Sequence, residues 1–157
     1  MSQEQIAEDK ILENEKEVDL QAEAVEHVEE GPVDPLTELQ AKRMGSFEVS
    51  LTFNDARYLR NLLDKSEWVG PNQAYLLIIS KLEMSNICEA LKGMDPGQMH
   101  KVKMTSACIE SLNYFMSRWS GTGEQSAQKL FASSMLLRGA IGEINKIDSE
   151  IEELKNS

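Results

Sequence analysis

The sequence predicts an α+β fold that is mostly helical. It consists of two tandem β-α-α units sharing a two-stranded antiparallel ribbon, a long C-terminal helix, and a disordered acidic arm in front. Three observations predict it. Apolar and polar residues alternate over Phe47–Thr52 and again over His100–Thr105, the period-2 mark of a strand with one buried face. Each alternating run is followed by an apolar stripe at helical spacing, a Gly-containing turn and a second helical run, and the two series stand 53 residues apart, as Val49 and Val102 do. Charge is skewed: residues 1–45 hold 13 Asp/Glu against 4 Lys/Arg, net −9, and residues 46–157 hold 14 against 12, net −2.

Residues 1–31 are Glu-rich, and their scattered Ile6, Ile11, Leu12, Val18, Leu20, Val25 and Val28 offer too little apolar surface to fold alone. Gly31-Pro32 ends this stretch. A short helix is expected over 35–43, with Asp34 as N-cap and Pro35 at the first helical position. Leu36 and Leu39 lie on one side of it, as a motif for a partner or a strap on the domain. Residues 1–45 are thus read as arm and 46–157 as folded domain, with units over 46–93 and 99–157.

In the first unit Phe47, Val49 and Leu51 face inward, and Glu48, Ser50 and Thr52 outward. Asn54 is the expected cap of a helix that buries Ala56, Leu59, Leu62 and Leu63. After the turn 66–72, a second helix is expected to bury Ala74, Leu77, Ile78, Leu82, Ile87 and Leu91. In the second unit Val102 and Met104 repeat the inward phase, Lys101, Lys103 and Thr105 point outward, and Thr105 or Ser106 caps. Ile109, Leu112, Phe115 and Met116 follow the first stripe position for position. The turn 117–123 echoes the Ser-x-Trp-x-Gly of the first, and Ala127, Leu130, Phe131, Met135 and Ile141 continue the match. Trp68 and Trp119 stand at equivalent helix ends, as anchors on the core edge or as contacts for a partner. The last helix outruns its counterpart. Leu137, Ala140, Ile144, Ile147, Ile151 and Leu154 form a heptad seam, and Ile144, Ile147, Ile151 and Leu154 are read as an oligomerisation surface.

Composition excludes several classes. Cys88 and Cys108 belong to no C-x-x-C pair and lie among apolar residues, which reads as buried thiols rather than zinc ligands. No nucleophile, phosphate-loop or dinucleotide motif is present, so no enzymatic activity, cofactor or metal is expected. No apolar run approaches the roughly 18 residues of a membrane span, and the N-terminus has no signal-peptide pattern. A cytoplasmic protein is expected, in the host cytoplasm if the chain is viral.

Strand, helix, Gly turn, helix over residues 46–135 resembles the ribbon-helix-helix family, in which two strands pair antiparallel over a core of four helices. The resemblance implies that a tandem chain supplies both strands itself. It also implies that the outward positions Glu48, Ser50, Thr52, Lys101, Lys103 and Thr105 read a DNA major groove, with phosphate at the turns 70–72 and 121–123. Lys101, Lys103 and Thr105 are therefore the candidate nucleic-acid contacts. Glu48 does not suit DNA, and residues 46–146 hold only 11 basic against 10 acidic residues, whereas phosphate contacts dominate nucleic-acid affinity.

The leading expectation is a small non-enzymatic interaction protein, an adaptor, inhibitor or assembly factor. It would engage another protein through its acidic arm and helical surface, with Leu36, Leu39, Trp68 and Trp119 as candidate contacts, and would form a homo-oligomer. The alternatives are a ribbon-helix-helix DNA-binding regulator and a nucleic-acid mimic whose arm occupies a basic groove.

Overall fold

A computed structural model describes residues 34–157. The order of elements is α1 (Pro35–Arg43), β1 (Ser46–Leu51), α2 (Phe53–Asp64), α3 (Gly70–Leu91), β2 (His100–Thr105), α4 (Ser106–Ser117) and α5 (Glu124–Asn156). The fold is α+β and mostly helical, with one two-stranded antiparallel sheet and a long C-terminal helix. Of the acidic arm, the short helix expected over 35–43 is α1, and the disorder expected of residues 1–33 lies outside the described residues.

The ribbon register has two-fold character. Ser46 pairs with Thr105, Phe47 with Met104, Glu48 with Lys103, Val49 with Val102, Ser50 with Lys101 and Leu51 with His100. Val49 and Val102 are equivalent positions of the two units and pair with each other, so an axis exchanging the strands passes through them. Side chains alternate as expected: Phe47, Val49 and Leu51 are buried, and Ser46, Glu48 and Ser50 are exposed.

The helices continue the correspondence. Helix α2 buries Ala56, Leu59, Leu62 and Leu63, and α4 buries their equivalents Ile109, Leu112, Phe115 and Met116. Helix α3 buries Ser80, Met84, Ile87 and Leu91, and α5 buries Ser133, Leu137, Ala140 and Ile144, each 53 residues on. Gly70 and Gly123, which open these second helices, both have positive φ, 79° and 90°, a conformation that costs glycine little and other residues more. The core lies between the inner face of the ribbon and the four helices, with α2 packed on α3, α3 on α4, and α4 on α5.

The caps explain where the first helices begin. The Thr52 hydroxyl accepts from Asp55 N at 3.0 Å, and the Asp55 carboxylate accepts from Thr52 N at 2.9 Å, a capping box. Thr52 therefore has the role expected of Asn54, because its extended backbone ends the strand while its oxygen faces the first turn. The unit containing the core begins at Leu39, so residues 39–45, which the charge pattern groups with the arm, belong to it. Arg43 pairs with Glu110 and, at 2.6 Å, with Asp148, and Ser106 N donates to Gly45 O at 3.1 Å.

One expectation fails on α3 and again on α5. The stripe read from the sequence puts Ile78 and Leu82 inward, with Phe131 and Met135 as their counterparts, and all four are exposed. Residues 75–79 of α3 are all apolar, so the local pattern does not mark one phase. The core takes the phase that puts the small Ser80 and the Met84, Ile87, Leu91 series inward.

Both cysteines are buried and free. The Cys108 thiol donates weakly to the Ser80 carbonyl, 3.9 Å away. Burial pushes the thiol well above its ordinary range, and the nearby Glu83 carboxylate pushes it further. Burial also raises Cys88, against the opposing influence of Arg60 and Arg57. A thiol that stays neutral when folded contributes stability that is full below the unfolded thiol's range and declines as pH rises above it. The slope is about 1.4 kcal/mol per pH unit per group. Urea unfolding at stepped pH should show stability falling above about pH 8.5, and less steeply in Cys108→Ala than in the wild type.

Candidate functional site

The outer ribbon face is smaller and less basic than its sequence suggests. Lys101 and Lys103 are exposed, as expected. Glu48 lies directly across from Lys103, and its carboxylate is 3.7 Å from Lys101 Nζ, so one acid sits between the two cations. Thr105 does not present its side chain outward. Its hydroxyl donates to Glu83 at 2.8 Å and accepts from Cys108 N at 3.2 Å, and its backbone N–H donates to Glu83 at 3.0 Å. A strand residue that becomes an N-cap turns its oxygen toward the helix, which removes Thr105 from the nucleic-acid contacts. Thr52 leaves the outward set for the same reason.

The C-terminal seam also changes meaning. Ile144 is 2% exposed, within the core cluster, and Ile147 is half-buried against that cluster. Ile151 is 9% exposed and Leu154 39%. Ile144, Ile147 and Ile151 are therefore covered within the chain, where α5 packs along α4 and β1, and the reading of all four as an oligomerisation surface keeps only Leu154 as an exposed residue.

Of the residues expected to meet a partner, Trp68 is more than half exposed, whereas Trp119 is half-buried against the core. Leu36 and Leu39 are half-buried on α1, which has no buried residue. Among the described residues, no group of three His, Cys, Asp or Glu side chains is placed to hold a metal ion, and no helix is long and apolar enough to cross a membrane.

The surface that sequence reasoning misses is the outer side of α3. Tyr75, Ile78 and Leu82 are 63%, 65% and 63% exposed. They are spaced three and four residues apart, so they share a face, and that face lies opposite Met84, Ile87 and Leu91. Helix α3 is therefore apolar on two sides, and its core buries only one. Helix α5 repeats the feature with exposed Phe131 and Met135, the equivalents of Ile78 and Leu82. Gly139 and Gly142 follow on α5, where an added Cβ would meet open space. The available signal is the excess of apolar residues over 75–79, more than one buried stripe requires.

The chain matches no family model, no curated protein and no solved structure.

Proposed function

We propose that the chain is a non-enzymatic interaction protein that engages another protein through the outer face of α3. The observation that supports this reading is the ridge of Tyr75, Ile78 and Leu82, three large apolar side chains exposed on one helix. Solitary exposed apolar residues are ordinary, whereas contiguous ones mark contact surfaces. An apolar ridge at three-four spacing suits a helix or groove on a partner. The related pair on α5 offers a second surface of the same kind.

Ile78→Asp with Leu82→Asp should remove partner capture by the full-length chain while leaving the fold intact. Both residues already face water, so the expected stability change is within about 0.5 kcal/mol for each. Co-purification from the producing cells, read beside urea unfolding, checks both halves. Partner recovery unchanged by the double substitution would refute the reading.

A DNA-binding regulator is the second reading, favoured by the exposed Lys101 and Lys103 on the ribbon. Under it, Lys101→Ala with Lys103→Ala should weaken duplex binding and flatten its salt dependence, by about one unit of slope for each phosphate no longer neutralised. Absence of duplex affinity at low salt would remove this reading.

A further inference from the structure

The turns joining the two helices of each unit share a cleft of about 330 Å³. It is lined by Lys65, Glu67 and Val69 from the first turn and by Phe115, Arg118 and Trp119 at the second. Lys65 and Arg118 are equivalent positions, each the C-cap of the first helix of its unit. A cleft that both line therefore lies at the pseudo-two-fold axis.

Arg118 is held in place there. Its Nη1 donates to Tyr114 Oη, and its guanidinium lies 5.3 Å from the centre of the Tyr114 ring. Gln73 Nε2 donates to the same phenol oxygen at 2.8 Å, and Gln73 Oε1 accepts from Val69 N at 2.7 Å. This chain of bonds ties the start of α3 to the end of α4 and fixes the guanidinium between them. An arginine side chain carries five N–H donors. Only one of Arg118's meets a protein acceptor among the described residues. Neither Lys65 nor Arg118 has a carboxylate within 4.0 Å among those residues.

Each cation complements the C-terminal dipole of its helix. That accounts for positive charge at these positions but not for the clamp on Arg118. A fixed guanidinium fork with unspent donors matches a carboxylate. The buried Phe115 ring and half-buried Trp119 supply an apolar floor beside it. Glu67 lines the same cleft, and residues 46–157 carry net −2, which disfavours a run of phosphates. The geometry points to this cleft as a binding site for an acidic peptide, with a carboxylate on Arg118 and Lys65 and a neighbouring aliphatic or aromatic side chain on Phe115 and Trp119.

The chain's two tryptophans, Trp68 and Trp119, both stand at these turns, so intrinsic fluorescence reports on the site. Random heptapeptides should be selected on the immobilised full-length chain and the enriched sequences titrated while fluorescence is followed. Asp or Glu next to Leu, Ile or Phe is expected to be enriched, and Asp/Glu to Asn/Gln exchange in the peptide should weaken binding at least tenfold. Arg118→Met should weaken it about as much, and Arg118→Lys, which keeps charge but loses the fork, should recover only part. Ile78→Asp with Leu82→Asp should leave this affinity unchanged, which separates the cleft from the α3 face. The site is refuted by no enrichment, by enrichment of neutral or basic peptides, or by acidic peptides whose affinity ignores Arg118→Met.

Discussion

Ile144→Asp is expected to unfold the chain rather than release a soluble monomer. Ile144 belongs to the core cluster, beside Leu137 and Ala140 on the same face of α5. Removing its side chain from that environment forfeits about 1.5–3 kcal/mol of burial. The aspartate would also be buried beside Arg43, which is already shared between Glu110 and Asp148, and a carboxylate poorly paired in the interior is strongly unfavourable. The sum, on the order of 4 kcal/mol or more, approaches the whole stability of an ordinary domain of about 5–15 kcal/mol. Leu154→Asp, at a position 39% exposed, should by contrast change stability by no more than about 0.5 kcal/mol. Circular dichroism and urea unfolding measure both variants, and light scattering gives the mass of whichever stays folded. A folded Ile144→Asp chain with reduced mass would restore the seam as an interface.

The second large effect lies at the paired core positions Leu59 and Leu112. Both are fully buried, one on α2 and one on α4, and they are equivalent in the two units. Truncation of either to alanine should cost about 2–5 kcal/mol, the lost transfer free energy plus the cavity left behind. Ile78→Ala, on the exposed side of α3, should cost no more than about 0.5 kcal/mol. Equilibrium unfolding of the three variants tests the assignment of faces directly. A cost for Ile78→Ala equal to that of the two leucines would mean that α3 presents its other side to the core.

Much of this architecture is legible in the order of residues. Alternation at Phe47–Leu51 and His100–Thr105 marks the strands, because a period of two admits one buried face only. The stripes of α2 and α4 are equally plain, since each carries four apolar residues at helical spacing and all eight are buried. The offset of 53 anticipates the two-fold relation of the strands but not their register, in which Val49 pairs with Val102.

The candidate surfaces are less legible, for a physical reason. Periodicity shows which side of a helix is apolar, but not which of two apolar sides the core will take. On α3 that choice depends on the neighbours: helices α2 and α4 accept the side with the small Ser80 and leave Tyr75, Ile78 and Leu82 outside. Thr105 shows the same limit for a polar residue. Its capping of α4 is legible in the sequence, but the Glu83 carboxylate, 22 residues earlier, which accepts from both its hydroxyl and its backbone N–H, is not. The heptad of α5 is a true apolar stripe that is buried within the chain as far as Ile151, with β1 and α4 packed along the helix. The chain's order by itself determined the two strands, the first helix of each unit and their repeat, because those depend on patterns whose spacing is local. Only the tertiary structure decided which faces of α3 and α5 remain in water and that Lys65 and Arg118 share one cleft, because burial is settled by what other segments bring to the same place.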